Sequence, residues 1–123
     1  MKIQKIFLVE DSKTETIIIT KILEDAGYSV VNAHHAEQAI ERLRTFTPDL
    51  IVMDVVMPGQ SGFQFIRTLK RDPATSAIPI IICSSKNLQT DRLWGLRQGA
   101  KDYVTKPVTS GSLLAAIERV GAA

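Results

Sequence analysis

Leu50-Ile51-Val52-Met53-Asp54 is the stretch on which the fold turns: four apolar residues in a row, then a carboxylate. A run this short, apolar throughout, suits a strand buried on both faces of a parallel sheet. Similar runs stand at Ile6–Val9 and Ile80–Cys83, with weaker ones at Tyr28–Val31 and Tyr103–Val104. Five strands are expected.

The segments between the runs read as helices. Ser12 and Glu15 form a capping-box pattern that starts the first. Ile18, Ile19, Ile22, Leu23 and Ala26 then recur at helical spacing, and Gly27 is a natural stop. The β-branched stretch Thr16–Thr20 favours strand locally, but period and cap outweigh that weak preference. A second helix carries Ala36, Ala39, Ile40 and Leu43. A third follows Gly62, with Phe63, Ile66 and Leu69 inward and Pro73 beyond it. A fourth covers Thr90–Gln98 with Gly99 as its stop, and a fifth runs from about Ser110 through Val120. Five strand–helix units with short connections make a doubly wound α/β sheet, helices on both faces.

The chain has 123 residues, one domain's worth, read as a single unit over 1–123 with no output domain. Its net charge of +2 is too small to suggest a nucleic-acid or membrane partner, and no helix-turn-helix segment follows. No apolar run reaches a membrane span, and the N-terminus lacks a signal-peptide core. The lone cysteine, Cys83, fits a reducing compartment. A cytoplasmic monomer is expected.

Ligands of a doubly wound sheet gather at the carboxyl ends of its strands. Those ends carry Glu10-Asp11, Asp54, Ser84-Ser85 and Lys106-Pro107. Three carboxylates converging there would repel one another without compensation. A hard divalent cation resolves this, since Mg²⁺ combines one or two carboxylates with a phosphate. A phosphoryl group would have its charge met by the metal, Lys106 and a hydroxyl from Ser84. A carboxylate can itself be the nucleophile and become an aspartyl phosphate.

With these residues in place, the chain resembles the response-regulator receiver family. The likeness rests on Glu10-Asp11, on Asp54 within Met53-Asp54-Val55-Val56-Met57-Pro58-Gly59, on Ser84, and on Lys106-Pro107. Each motif alone is weak; all of them, in order and suitably spaced over the whole chain, are specific. The resemblance implies Asp54 as phosphoacceptor. It implies Mg²⁺ or Mn²⁺ held by Asp11, Asp54 and the Val56 carbonyl, with Glu10 beside them. It implies Ser84 as switch hydroxyl, Lys106 as phosphate contact and Tyr103 as switch aromatic, and a Lys106–Pro107 peptide that is cis. Val56 and Lys86 stand where the family tunes removal of the phosphate by water. Glu10 replaces the commoner aspartate, with an arm that can reach a metal through water, and Ser84 stands where threonine is frequent. The strand order 2-1-3-4-5, that of flavodoxin and the receiver CheY, is expected on this likeness and not from spacing.

Ser84-Ser85-Lys86, Asp91, Trp94 and Arg97-Gln98-Gly99-Ala100 resemble PilH-type single-domain regulators of pilus-based twitching, and phototaxis relatives. That implies a sensor histidine kinase of chemotaxis type as donor. The signal would leave by protein binding at the helix 4–strand 5–helix 5 face, with Trp94 and Arg97 in it, or the chain would act as a phosphate sink. Such a protein turns over no separate substrate.

Plainer readings stand beside these. Trp94 reads as half-buried packing, Tyr103 as a strand aromatic, and Cys83 as core. His34 and His35 read as solvated loop residues. Lys86, Arg92, Arg97 and Lys101 read as a solvated basic face. A degenerate receiver used only for docking is one alternative. A flavodoxin-like cofactor binder is another, but Glu10-Asp11 would repel a phosphate in the loop that must cradle it.

Overall fold

The structure, a computed structural model, describes residues 2–56 and 62–122. Met57-Pro58-Gly59 of the Asp54 motif lies outside the described residues. The chain alternates β1 (Lys5–Val9), α1 (Lys13–Asp25), β2 (Ser29–Ala33), α2 (Ala36–Leu43) and β3 (Leu50–Met53). It continues with α3 (Gly62–Arg71), β4 (Ile80–Ser84), α4 (Gln89–Gln98), β5 (Asp102–Thr105) and α5 (Ser110–Ala122). The five strands form one parallel sheet in the order β2-β1-β3-β4-β5. The expected architecture and order are both found.

Alternation along each strand splits the core in two. Phe7, Val9, Ile51, Met53, Ile80 and Ile82 face one side, where α2 and α3 add Ala39, Phe65, Ile66 and Leu69. Ile6, Leu8, Leu50, Val52, Ile81 and Cys83 face the other, against Ile19 and Leu23 of α1 and Leu113 and Ile117 of α5. β3 is buried along its whole length, as a central strand should be.

Local details correct the sequence reading. Ser12 caps α1 by accepting from the Glu15 N–H at 3.3 Å. The reciprocal half of the expected box is not made: the Ser12 N–H goes to Glu10 Oε2 at 3.1 Å. Ile18 and Ala26 face solvent, and Thr16 takes an inward place instead. Thr16 can be buried because its hydroxyl donates to the Ser12 carbonyl at 2.8 Å. On α3 the fully buried aromatic is Phe65, while Phe63 is half-buried. β2 lies one to two residues later than its apolar run, because an edge strand needs few fully buried positions. Gly27 ends α1 as expected, with φ +97°. Gly62 lets α3 start against the chain leaving β3, since a Cβ there would overlap the Val55 backbone. Its N–H donates to the Val55 carbonyl at 3.0 Å, which ties the start of α3 to the residue after Asp54.

Candidate functional site

Because every strand is parallel, all carboxyl ends lie on one edge. β1 delivers Glu10 and Asp11 there, β3 delivers Asp54, β4 delivers Ser84, and β5 leads into Lys106. Carboxylate oxygens of Glu10, Asp11 and Asp54 lie within 4.8 Å of one another. Glu10 and Asp54 are buried, and Asp11 is exposed.

Lys106 ties the acids together. Its Nζ donates to Glu10 Oε1 at 2.6 Å and to Asp54 Oδ2 at 3.0 Å. Glu15 Oε2, one turn into α1, is 4.0 Å away. The lysine is followed by the cis Lys106–Pro107 peptide, as the resemblance implied. Asp54 Oδ1 accepts from the Val56 N–H at 3.0 Å, so among the described residues each of its oxygens has one donor.

Glu10 is held from several sides. Its N–H donates to the Ala33 carbonyl at 3.0 Å, and His34 Nδ1 lies 3.2 Å from its carbonyl. Burial pushes the Glu10 carboxyl above the ordinary carboxylate range. Lys106 and the Ser12 N–H pull it back, and the Asp54 charge adds to the rise. Burial draws Lys106 down, but Glu10 and Asp54 outweigh it and hold the ammonium above its ordinary value. Burial also pushes the Cys83 thiol up to about 12, so it packs as a neutral hydrophobe.

The switch residues form a second group. The Ser84 hydroxyl is fully buried and accepts from the Lys86 N–H at 3.2 Å. Lys86 contributes backbone, and its side chain is exposed. Its carbonyl accepts from the Tyr103 hydroxyl at 2.7 Å. Tyr103 is 2% exposed, so its ring is already inward. Burial raises its phenol, and the neighbouring Ser84 hydroxyl pulls the other way. Val56 is half exposed beside Asp54. Trp94 and Arg97 lie apart, on the outer face of α4. Trp94 is 48% exposed and stands edge-on to Phe63, with ring centroids 6.4 Å apart.

Sequence reasoning missed several residues. His35 is the N-cap of α2, accepting from the Gln38 N–H at 3.1 Å, and is not a mere loop residue. His34 touches the Glu10 backbone, for which a single sequence carries no signal. Glu15 was legible as a site neighbour, one helical turn past Asp11. Arg92 is exposed, as expected of a basic face, but it also donates to the Tyr103 carbonyl at 3.0 Å and lies 3.5 Å from Asp102. Asp102, a charge opening an otherwise apolar strand, was a visible signal left unread.

This donor set is all carboxylate oxygen, which suits a hard divalent cation such as Mg²⁺ and not a soft one. Among the described residues, no helix is long and apolar enough to cross a membrane. The chain is 46% identical over 116 residues to the protein PilH of Pseudomonas aeruginosa, covering 94% of this chain and 96% of that one. It is 38% identical to the phosphate regulon transcriptional regulatory protein PhoB of Escherichia coli, over 95% of this chain and 51% of PhoB. The chain thus spans about half of that regulator's length. A crystal structure of the receiver domain of the Pseudomonas aeruginosa sensor histidine kinase PA1611 holds a magnesium ion in its active-site cleft. It aligns with a TM-score of 0.86 at 30% identity, covering 96% of this chain and 97% of that one. Residues 6–118 match the response regulator receiver domain, and the chain belongs to that family.

Proposed function

We propose that this chain takes a phosphoryl group on Asp54 from a sensor histidine kinase of chemotaxis type and signals as a stand-alone receiver. One observation carries the reading: Asp54 is 7% exposed at a strand end, with Lys106 on one oxygen and two further carboxylates beside it. A buried carboxylate among acids is costly unless cations balance it, and a divalent cation beside Lys106 would leave room for a phosphoryl group's charge.

In the proposed step an Asp54 oxygen attacks phosphorus in line. The new P–O bond forms as the P–N bond to the donor imidazole breaks, and that nitrogen keeps the electron pair and takes a proton. Glu10, Asp11, Asp54 and the Val56 carbonyl would hold Mg²⁺ or Mn²⁺, which supplies charge neutralisation when bound. Lys106 would follow the phosphoryl oxygens, and the Ser84 hydroxyl would turn from the Lys86 N–H to donate to one of them. Val56 and Lys86 border the water that later removes the group. The only turnover is of its own phosphoryl group.

The coverage of PilH supports the stand-alone reading, and its identity supports a pilus or twitching pathway of chemotaxis-like design. Leu93, Trp94 and Leu96 are 53%, 48% and 38% exposed on α4, beside Arg97. Exposed apolar side chains so grouped favour docking of a downstream protein at the α4–β5–α5 face over a pure phosphate sink. The chain would work as a cytoplasmic monomer.

Intact mass after incubation with a small phosphodonor tests the reading. One added phosphoryl group, needing divalent metal and lost in Asp54→Asn, is the expected result. No added mass on a folded protein would leave a docking module as the better account.

A further inference from the structure

The two flanks of α4 differ in how their charge is balanced. On the β5–α5 flank, Arg92 and Arg119 both stand beside Asp102. On the α3 flank the cations have neutral partners. Arg67 donates to the Gln98 side chain at 3.0 Å, and Lys70 donates to the Ser76 and Ile78 carbonyls at 3.1 and 2.9 Å. Burial draws the Lys70 ammonium down, and the nearby charge of Lys101 adds to the fall. Among the described residues, no ion pair reaches Arg67, Lys70, Arg97 or Lys101. The one acid of α4, Asp91, accepts from the Leu88 N–H at 3.2 Å.

Apolar side chains stand among these cations. α4 packs Gly95 against Ile82, and Gly95 is its only buried residue, so its large side chains turn outward. An amphipathic helix ordinarily buries such side chains. Trp94 leans to the α3 flank, edge-on to Phe63, and Leu93 is exposed beside it. Thr90, Leu93, Trp94, Leu96 and Arg97 line an open hollow of about 500 Å³.

An apolar hollow bordered by uncompensated cations complements a surface that carries apolar groups and carboxylates together. We propose that the α3–α4 face docks an acidic amphipathic helix of a partner protein. Its apolar stripe covers Phe63, Leu93 and Trp94, and its carboxylates meet Arg67, Arg97 and Lys101. Helices in grooves anchor through such a stripe, one side chain per turn. Nucleic acid would need a row of rings to stack on, and Leu93 and Leu96 offer none. The inference rests on the docking reading above and narrows it, to the α3 flank of α4 and to an acidic partner.

Trp94 is the sole tryptophan and reports on this face directly. Two tryptophan-free helical peptides of about 16 residues serve as probes. They share one Leu and Phe stripe and carry Glu or Lys at every other position. At low salt the Glu peptide should shift Trp94 emission to shorter wavelength and bind about tenfold tighter than the Lys peptide, a margin that added salt erodes. Arg67→Glu/Arg97→Glu should reverse the preference. Lys2→Glu/Lys21→Glu, the same change of net charge on exposed side chains elsewhere, should keep it. Should the first double variant not fold, Arg97→Glu alone, at an exposed side chain, should abolish the preference. No shift with the Glu peptide, equal binding of the two peptides, or tighter binding of a single-stranded oligothymidine overturns the proposal. Amide shifts confined to β5 and α5 also overturn it and leave the broader docking reading standing. The mass gained on Asp54 is read separately. Glu-peptide binding by a protein that takes no phosphoryl group would sink the phosphorylation reading and keep this surface. A phosphorylated protein blind to the peptide would do the reverse.

Discussion

Two charge clusters sit at opposite ends of the sheet, and they are balanced in opposite senses. At the carboxyl edge, Glu10 and Asp54 share one ammonium, Lys106, with the Asp11 carboxylate beside them. At the other end Asp102 alone holds two guanidiniums. Arg119 donates to its Oδ2 through Nε at 2.9 Å and Nη2 at 2.7 Å, and Arg92 lies 3.5 Å from Oδ1. The surplus charge at Asp102 sits on arginines 48% and 61% exposed, where water solvates it. The surplus at the edge includes Glu10 and Asp54, whose side chains are 2% and 9% exposed. Asp102 is complete as it stands and serves as a clamp joining α4, β5 and α5. Among the described residues the edge cluster has more buried acid than its one cation balances, and that deficit is what marks it as a site for ligands.

The sharpest way to break this comparison is to remove Lys106. Lys106→Met leaves two buried carboxylates facing each other without a cation. Loss of one partner of a buried pair costs about 3–5 kcal/mol. The cost should show in urea unfolding and shrink on adding Mg²⁺, because an external cation replaces the missing one. A variant as stable as the parent, or one indifferent to Mg²⁺, would remove the basis for reading the edge as cation-deficient.

The sequence made the edge cluster legible and the clamp obscure for a physical reason. Short apolar runs mark buried parallel strands, so their last residues necessarily share an edge, and Glu10, Asp54, Ser84 and Lys106 can be placed by counting. The clamp depends on side-chain reach. Nothing in the spacing says that Arg92, though exposed, reaches the Tyr103 carbonyl. The same limit hid the inward Tyr103 and the Ser12 N–H that bonds Glu10. Gly95 was invisible for the opposite reason: a glycine within a helix reads only as a weak point, and its close packing on Ile82 shows only in the structure.

A middle-sized effect tests the other cluster. Asp102→Asn keeps an acceptor for the Tyr103 N–H but loses the charge that holds Arg119. Hydrogen bonds to charged groups contribute about 1.5–3 kcal/mol, and the loss should fall toward the lower end because both arginines can turn to water. Mg²⁺ should recover none of it in urea unfolding. Recovery by Mg²⁺ would mean that the two clusters are coupled and cannot be treated as separate designs.

The smallest effect is a slope in pH. Burial holds the folded Glu10 carboxyl above its ordinary 4.5. A group raised on folding contributes stability that is fully present below its unfolded value and lost as pH rises through the folded one. Wild type should therefore lose stability relative to Glu10→Gln between 4.5 and that raised value, in metal-free buffer. Above the window the difference should level off, since Glu10 is then ionised in both folded and unfolded chains. Urea midpoints of the two proteins, followed across the window, read the difference directly. Mg²⁺ should flatten the slope, because a cation favours the ionised carboxylate that burial disfavours. Parallel curves without metal would mean that Lys106 already balances Glu10, and the edge would then be as self-sufficient as the clamp.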